Sequence, residues 1–367
     1  MNESLCDILA RRIRVTGPLT VAEFMAEAAG HPQHGYYRRA DPFGRAGDFV
    51  TAPEVSQMFG ELLGLWCVSV WQQMGEPACT LVELGPGRGT MMADVWRAAR
   101  VSPRFQAAAR VHLVETSPLL RGLQAETLAA VDLRPSWHDD LTQIPDGPLL
   151  LLANEFFDAL PVHQFQRAVA GWQERAIDID AQDGLRFVLT APGPTLALIE
   201  ADERDAAPIG TMAEVSPASL GVMDSIARRI VAQGGGALIV DYGQAGALGD
   251  SLQAVRRHGT HPFLADPGEA DVSARVDFAA LARVAREAGA TVGGPIGQGD
   301  FLDALGIRLR AARLAERAAP GQADDIAAAL KRLCDEGQMG SLFKVLAATG
   351  PAQPAPPGFT IAAERQC

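Results

Sequence analysis

A glycine-rich turn between an apolar strand and a helix is the strongest chemical signal in the sequence. It lies in the segment Leu81-Val-Glu-Leu-Gly-Pro-Gly-Arg-Gly-Thr90, and a helical pattern begins near Met91. Glycine allows a sharp bend and a close approach of a ligand to the backbone, and a helix N-terminus offers free N–H groups. The segment therefore predicts a site for a nucleoside-type ligand, held by Gly85, Pro86, Gly87, Gly89 and Thr90.

The carboxylate of Glu83, directly before this turn, narrows the class of ligand. The dinucleotide fingerprint G-x-G-x-x-G needs a third glycine where Thr90 stands. An acid at this place would repel a pyrophosphate, whereas it suits the positively charged amino group of a methionine moiety. S-adenosylmethionine carries that amine and no phosphate, so we expect it as the cofactor.

Acids also follow the next two predicted strands. Glu115 ends an apolar strand roughly 26 residues beyond Gly89, near the spacing of a carboxylate that binds ribose hydroxyls. After the following strand, Asp139 or Asp140 could accept a hydrogen bond from the adenine amino group. Each acid taken alone could be a helix cap or a solvated surface residue. Taken in strand order with the glycine turn, they favour a nucleoside cofactor.

From Cys79 onwards, short apolar runs that end in Gly, Asp or Glu alternate with helical patterns. This alternation is typical of a parallel sheet with helices on both faces. We predict strands at Thr80–Leu84, Val111–Glu115, Asp132–Trp137, Pro148–Asn154 and Ala237–Asp241, a β-meander over Gln164–Ala191, and a last strand at Ser341–Ala348. Helical spacing predicts helices within Leu5–Gly30, Pro53–Met74, Ser216–Ala232 and Phe278–Ala288.

Several long segments resemble the MidA/NDUFAF7 family. They are Glu83–Thr90, Gly47–Glu61, Asn154–Phe165, Leu264–Asp271, Arg275–Phe278 and Met339–Lys344. The resemblance implies a class I S-adenosylmethionine-dependent methyltransferase. Mitochondrial members of the family assist respiratory complex I assembly by symmetric dimethylation of a protein arginine. Two positions depart from the family pattern, because Ala52 stands where Ser is usual and Arg275 where His is usual, so no role is assigned to those side chains.

The fold class that follows is α/β, with a doubly wound, mostly parallel, Rossmann-like methyltransferase sheet, an N-terminal helical cap and an inserted β-meander. We predict a helical cap and lid loop over residues 1–75 and a methyltransferase domain over 76–350. Insertions are expected at about 164–215 and 244–276. The Pro-rich tail, 351–367, is either a frayed end or an extended strap.

The end of the fourth strand, Asn154-Glu-Phe-Phe-Asp158, is the predicted catalytic segment. Methyl transfer depends on positioning the nucleophile and excluding water, and a guanidinium nucleophile can be localised by paired carboxylates. We predict that Glu155 and Asp158 hold the guanidinium and that Asn154 orients the methionine part of the cofactor or the substrate. Phe156 and Phe157 would exclude solvent. The alternative is an ordinary strand-end turn in which Asp158 caps a helix.

The loop from Gly35 to Thr51 has the composition of a lid or substrate wall. Tyr36 and Tyr37 could stack on a guanidinium or a sulfonium, or they could pin the N-terminal helices. Thr51 is assigned to the cofactor site. His31 and His34 have no cysteine or acid cluster nearby, so no metal site is predicted, and His163 is interpreted as a packed or loop histidine.

Composition limits the other function classes. The net charge of −12 disfavours nucleic acid as the main partner. Five cysteines without C-x-x-C spacing indicate a reducing compartment, and the apolar stretch Leu62–Trp71 is about half a bilayer span. Acids near the N-terminus argue against a signal or transit peptide, which predicts a cytoplasmic protein without a membrane span. The scarcity of Lys beside abundant Ala, Gly and Arg indicates the codon bias of a GC-rich prokaryote.

The predicted function is S-adenosylmethionine-dependent methylation of an arginine in a partner protein, by resemblance a respiratory complex I type subunit. Two alternatives stay open. One is an N- or O-methyltransferase that acts on a metabolite, and the other is an assembly chaperone with a vestigial cofactor site. The oligomeric state is also left open, with a homodimer as one option.

Overall fold

The structure is a computed structural model that describes residues 3–39, 51–182, 184–319 and 321–359. These residues divide into two compact units. The unit called here the insertion unit contains the described residues up to 39, together with 157–221 and 245–280. The sheet unit contains 51–156, 222–244 and the described residues from 281 onwards.

Seven strands of the sheet unit form one sheet in the order β6-β7-β5-β4-β1-β2-β3. Strands β1 to β5 are parallel, and β7 is antiparallel to both β5 and β6. The strands are β1 (Cys79–Leu84), β2 (Ala109–Val114), β3 (Ser136–His138), β4 (Leu149–Asn154), β5 (Gly235–Gln244), β6 (Thr291–Gly297) and β7 (Phe343–Thr349). Because β1 and β4 lie in the middle, every one of their residues is buried, as their continuous apolar runs predict.

Helices flank this sheet, and the structure confirms the predicted α/β class. The helices wholly within the sheet unit are Ala52–Val55, Gln57–Gln73, Thr90–Ala98, Pro103–Ala108, Pro118–Ala129, Gln298–Ala304, Ile307–Ala315, Gln322–Cys334 and Met339–Leu342. Two more, Pro217–Gln233 and Phe278–Glu287, begin in the insertion unit and continue into the sheet unit. Short 3-10 turns occupy Ala99–Val101 and Leu141–Gln143.

Three predicted elements differ in their bounds. The helix expected over 53–74 is interrupted at Ser56, whose backbone is extended and whose hydroxyl caps the longer helix at Met58 N (3.2 Å). The third strand begins at Ser136 and not at Asp132, because Asp132 takes a left-handed φ of 59° in a turn. The last strand begins at Phe343, after a short helix.

The helix Gln57–Gln73 packs in the core of the sheet unit through large apolar side chains. Phe59, Leu63, Trp66 and Trp71 are at most 1% exposed. The structure thus groups this helix with the sheet, whereas the sequence groups it with the N-terminal cap. The N-terminal helices Leu5–Thr16 and Val21–Gly30 belong to the insertion unit, and each begins with a capping box.

The insertion unit contains two antiparallel sheets, and the larger one confirms the predicted β-meander. Its path is Leu19–Thr20, Gly171–Ile179, His163–Ala168 and Met212–Val215, with Leu185–Thr190 paired to Gly171–Ile179. The smaller sheet contains Gly259–His261, Gln253–Arg256 and Asp271–Ser273. The unit also contains the helices Tyr36–Arg39 and Ala201–Ala206 and a 3-10 turn at Pro194–Leu198.

The described part of the C-terminal tail, up to Phe359, is a strap that packs on the sheet unit. Trp66 Nε1 donates a hydrogen bond to the carbonyl oxygen of Pro357 (3.2 Å). The rings of Phe359 and Phe301 lie 5.3 Å apart between centroids. Of the two interpretations of the tail, the structure supports the strap as far as Phe359. Across the described residues, we find no helix that is both long enough and apolar enough to cross a membrane.

Candidate active site

The glycine turn follows β1 at the carboxyl end of the sheet. Gly85, Gly87 and Gly89 have φ values of +60°, +54° and +82°, a region that favours glycine. Gly85 N donates to the carbonyl of Val114 (3.1 Å) and so ties the turn to β2, while Gly89 N donates to Pro86 O (2.7 Å). Gly89 is the N-cap of the helix Thr90–Ala98. The predicted strand–turn–helix arrangement is therefore present.

Glu83 places a buried acid next to this turn. It is 2% exposed, and its Oε2 atom has no hydrogen-bond partner among the residues that the structure describes. Burial raises the pKa of Glu83 to about 8. A desolvated acid without a cation is costly, and a bound ammonium group would supply the missing partner. Glu83 therefore fits the amino group of a methionine moiety.

Glu115 lies at the end of β2 and is also buried, at 8% exposure. Its Oε1 atom accepts a hydrogen bond from Ser117 N (2.7 Å), and its Oε2 atom accepts one from Gln124 Nε2 (3.3 Å). Burial raises the pKa of Glu115, and these hydrogen bonds oppose the shift. The helix cap at this place is Ser117, whose hydroxyl accepts from Leu120 N (3.4 Å). The predicted ribose contact of Glu115 stays a prediction.

Gln124 connects the turn to the neighbouring strands, and the sequence analysis missed it. Its side chain is fully buried, Nε2 donates to the carbonyl of Gly87 (2.8 Å), and Oε1 accepts from Trp137 Nε1 (2.8 Å). A sequence signal existed, because Gln124 lies between Leu120 and Leu128 on the buried face of the helix Pro118–Ala129. A glutamine on an apolar stripe is a buried polar group that needs fixed partners.

Asp139 and Asp140 follow β3, and both carboxylates have protein partners. Arg121 Nη2 donates to Asp139 Oδ1 (2.7 Å), while Arg121 Nε donates to the carbonyl of Glu115 (2.7 Å). Asp140 Oδ1 accepts from Thr142 N (2.7 Å) and caps the 3-10 turn Leu141–Gln143, and hydrogen bonding from Thr142 lowers the pKa of Asp140. Both acids are exposed, and their contact with adenine stays a prediction.

Asn154 and Glu155 lie where β4 ends, beside β1. Asn154 is 8% exposed, and its Nδ2 atom donates to Glu155 Oε1 (3.1 Å). Its Oδ1 atom has no hydrogen-bond partner in the described part of the chain. Glu155 has a φ of +50°, a strained conformation for a residue with a side chain. Its Oε1 atom also accepts from Ala52 N (3.0 Å). The strand end thus presents a fixed carboxylate next to an unpaired amide oxygen.

The segment Thr51–Val55 is held between β4 and the glycine turn. Besides the bond from Ala52 N to Glu155, Glu54 Oε1 accepts a hydrogen bond from Thr90 Oγ1 (2.7 Å). Thr51 is 8% exposed and is the N-cap of the short helix, without a capping bond from its side chain. The structure places Thr51 near this edge of the sheet, and its contact with the cofactor stays a prediction.

Phe156 covers part of the turn. A Cβ atom built on Gly85 would lie 3.0 Å from Phe156 Cδ2, so a side chain at position 85 would displace the ring. The backbone N–H of Phe156 donates to Oδ2 of Asp241, a fully buried acid in β5 (3.1 Å). This ring is consistent with the predicted role of Phe156 in shielding the site from solvent.

Asp158, Tyr36 and Tyr37 belong to the insertion unit. The carbonyl of Asp158 accepts a hydrogen bond from Ala274 N (3.0 Å), and Tyr37 OH donates to Asp271 Oδ1 (2.7 Å). The two tyrosine rings meet edge to face at 5.1 Å, and burial raises the pKa of Tyr37 well above its ordinary value. The tyrosines therefore pack within their own unit. Their predicted contact with substrate is untested, and residues 40–50 of the predicted lid lie outside the described residues.

The histidines singled out in the sequence have structural partners. His31 Nδ1 accepts from His34 N (3.2 Å) in the turn after a helix, and His163 Nδ1 lies 2.6 Å from Glu174 Oε1 within the meander. No group of three or more His, Cys, Asp or Glu side chains that could hold a metal ion is found among the described residues.

The strand order, the glycine turn and the unpaired Glu83 and Asn154 oxygens define the class of the protein. It is an S-adenosylmethionine-dependent methyltransferase. The sequence profile of a family of S-adenosyl-L-methionine-dependent methyltransferases matches residues 62–296. The chain belongs to this family, and more narrowly to the MidA/NDUFAF7 family, as its motifs predict.

Known relatives are similar over nearly the whole chain. The mitochondrial protein arginine methyltransferase NDUFAF7 of Mus musculus is 40% identical over 92% of this chain and 83% of that protein. The homologue in Drosophila melanogaster is 38% identical over 94% of this chain and 84% of that protein. A crystal structure of a COG1565 superfamily member from Burkholderia thailandensis, bound to S-adenosyl-homocysteine, has a TM-score of 0.81 and 26% identity, and covers 97% of this chain and 94% of that chain.

These relatives correct one prediction. The assignment to a prokaryotic cytoplasm is wrong, because the relatives at about 40% identity are mitochondrial proteins of animals. The assignment depended on acidic residues near the N-terminus and on a composition poor in Lys and rich in Ala, Gly and Arg. N-terminal acids bear only on certain types of leader segment, and composition does not identify the compartment in which the folded chain works.

Proposed function

We propose that this methyltransferase methylates the guanidinium group of an arginine in a partner protein. The observation that carries the proposal is the carboxylate of Glu155, fixed at the carboxyl end of β4 by Asn154 and by the backbone of Ala52. The relatives at about 40% identity are named protein arginine methyltransferases, which supports the same substrate class. A respiratory complex I type subunit as the partner remains a prediction from the family resemblance.

The residues that would hold the cofactor act on its separate parts. S-adenosylmethionine supplies a methyl group on a sulfonium, which is activated toward nucleophilic attack. Glu83 would bind the ammonium group, and the bare backbone of Gly85, Gly87 and Gly89 would lie against the ligand. Glu115 would accept the ribose hydroxyls. The unpaired Oδ1 of Asn154 would accept a hydrogen bond from the amino-acid part or from the substrate.

A fixed carboxylate solves the main difficulty of a guanidinium nucleophile. The cation is delocalised over three nitrogens, so the enzyme must localise the charge and direct one nitrogen toward the methyl group. Glu155 suits this task because two hydrogen bonds hold its carboxylate in place before substrate arrives. Asp158 is proposed as the second carboxylate, and Phe156 as a wall that keeps water out.

The proposal is tested with Glu155→Gln, which keeps the size of the side chain and removes its charge. We expect methyl transfer to protein to fall by at least about 100-fold, since the loss of one preorganised electrostatic contact has effects of this order. Binding of adenosylhomocysteine should stay within about threefold, as measured by calorimetry. The assay follows labelled methyl groups into the protein fraction of a cell extract.

Glu76→Gln is the matched control. Glu76 also has a left-handed φ, 62°, and lies in the same unit, where it pairs with Arg104. This variant should retain activity. Unchanged methyl transfer by the Glu155 variant would refute the catalytic role of Glu155. If the labelled methyl groups appear only in small molecules, the substrate is a metabolite and not a protein. The variant Asp158→Asn tests the second carboxylate separately.

A further inference from the structure

A cleft of about 510 Å³ opens at the amino-terminal edge of the sheet, and the methyltransferase reaction does not account for it. Its walls include residues at the start of β1 and β2, at the first residue of β3, and just before β4: Thr80, Arg110, Ser136 and Pro148. The glycine turn lies at the other end of the same strands. Six residues of β1 separate the two edges by about 20 Å, so the cleft is distinct from the cofactor site.

Basic side chains dominate the charge of this cleft. Arg134 lines it and makes no hydrogen bond or ion pair with any residue that the structure describes. Arg110 also lines it, and its Nη1 atom donates to the carbonyl oxygens of Ala107 (3.1 Å) and Ala109 (3.3 Å). Carbonyl contacts leave the positive charge of Arg110 without a compensating carboxylate.

A third arginine lies beneath the cleft. Arg229 donates to the carbonyls of Ile144 (3.2 Å) and Gly147 (3.4 Å) and to Thr80 Oγ1 (3.4 Å), and both Thr80 and Gly147 line the cleft. Its Nε atom is buried and has no hydrogen-bond partner in the part of the chain that the structure describes. Burial lowers the pKa of Arg229, as expected for a cation that has lost water.

Few acidic side chains lie at the cleft to balance these arginines. Among the described residues that line the cleft, Asp146 is the only acid, and its Oδ1 atom accepts a hydrogen bond from Gln233 Nε2 (3.0 Å). His112 also lines the cleft, and burial, the adjacent His138 ring and Arg229 lower its pKa, so it adds no charge at neutral pH. Two arginines and one acid therefore line the cleft, and Arg229 adds a further cation beneath it, in a chain with a net charge of −12.

The shape and charge together point to a class of ligand. Guanidinium groups bind phosphate and carboxylate oxygens in a bidentate manner, and a local positive potential concentrates anions. The cleft volume lies within the range of small-molecule sites, roughly 300–1,000 Å³. We propose that this cleft binds a small polyanion carrying two or more phosphate or carboxylate groups, held by Arg134 and Arg110 above the fixed charge of Arg229.

Calorimetry of the full chain tests this proposal, with pyrophosphate and citrate as separate probes. Adenosylhomocysteine is present at saturation so that the glycine turn cannot take up the probe. We expect one probe to bind with a stoichiometry of one, and the tighter of the two identifies phosphate or carboxylate as the preferred group. Affinity should decrease as the salt concentration rises.

The variants Arg134→Gln and Arg110→Gln should each weaken binding at least about tenfold. Arg100→Gln is the matched control, because Arg100 is exposed in the same unit and does not line the cleft. If Arg110→Gln does not fold, Arg134→Gln carries the test alone, since the side chain of Arg134 bonds to none of the described residues and its replacement should not disturb the fold. Absence of binding to the unmodified protein, or equal binding by all three variants, would overturn the proposal.

Discussion

At the scale of single residues, the site depends on buried polar atoms that have no hydrogen-bond partner among the described residues. Glu83 Oε2 and Asn154 Oδ1 are both of this kind, on adjacent strands of the same sheet. Such atoms reduce stability, because they have lost water and gained nothing in exchange. Their presence is explained if the cofactor supplies the missing hydrogen-bond donors, so cofactor binding and protonation should be linked.

This linkage predicts the pH dependence of cofactor affinity. Because the pKa of Glu83 is about 8, the acid is mostly protonated at neutral pH and must release its proton to pair with an ammonium group. Affinity for adenosylhomocysteine should therefore increase between pH 6 and 7.5, by up to about tenfold per pH unit. Calorimetry in two buffers of different ionisation enthalpy should detect about one proton released per ligand bound.

The variant Glu83→Gln is the control, and its weaker binding should not change with pH. In the free protein, the free energy of unfolding should change with pH in the opposite direction to the cofactor affinity. The folded state holds the proton more tightly than the unfolded chain, so the contribution of Glu83 to the free energy of unfolding is lost as the pH rises from 4.5 toward 8. Binding without proton release would contradict the role of Glu83.

Gln124 is expected to position the site without touching the reacting atoms. In Gln124→Leu, the bonds to Gly87, Glu115 and Trp137 are lost, and the affinity for adenosylhomocysteine should fall about tenfold. Gln298→Leu is a matched control, because Gln298 is equally buried and donates to the carbonyl of Leu333 (2.9 Å). Both variants should lower Tm, and only the first should lower the affinity. Equal affinities would limit Gln124 to a structural role.

At the scale of elements, the central sheet was predictable from local sequence. Apolar runs predicted β1, β2, β4 and β5, and most of the predicted strand ends lie within about two residues of the observed ones. Buried parallel strands are continuously apolar, so such runs mark them. The short helix Ala52–Val55 was not resolved from the helix that follows it. Its position depends on Glu54 and on Glu155, and the contact from Ala52 to Glu155 joins residues 103 apart in the chain. No local pattern encodes such a contact.

The glycine turn itself can be tested with Gly87→Val. A β-branched side chain at a φ of +54° costs roughly 1–2 kcal/mol and occupies space that the ligand needs. Gly75→Val is the matched control, because Gly75 has a φ of +83° and a Cβ atom there meets nothing within 4 Å. Both variants should lose similar stability, and only Gly87→Val should abolish binding of adenosylhomocysteine.

The same pair of variants separates an enzyme from an assembly chaperone. If the protein acts on its partner by methylation, Gly87→Val should abolish the effect on that partner, while Gly75→Val preserves it. A partner phenotype that survives Gly87→Val, in a protein with an unchanged circular dichroism spectrum, would favour the chaperone.

At the scale of the whole molecule, charge agrees with a cationic substrate. A net charge of −12 attracts basic segments over distances comparable to the Debye length and repels nucleic acid. The C-terminal strap shows how distant parts of the chain form one core. Its residues Pro357 and Phe359 contact side chains of segments far away in sequence.

Removal of one ring from the strap should reduce the stability of the sheet unit. Phe359→Ala removes the ring contact with Phe301. It also removes the ring that packs over Gly293 so closely that a Cβ atom built on Gly293 would lie 2.8 Å from Cγ of Phe359. We expect a loss of about 2 kcal/mol in urea unfolding. The exposed Pro354 provides the control, since Pro354→Ala should change stability by less than about 0.5 kcal/mol. Equal stabilities for the two variants would show that the strap contributes little.

The connectivity of the chain has a practical consequence for design. The backbone leaves the sheet unit after Phe156, two residues beyond β4, and again after Gln244, the last residue of β5. Glu155 lies next to the first junction, and Asp241 lies near the end of β5, before the second. A chimera joined at these junctions would carry segments 157–221 and 245–280 of a relative and keep its own glycine turn. Such a chimera tests whether these segments of the insertion unit or the sheet unit select the partner protein.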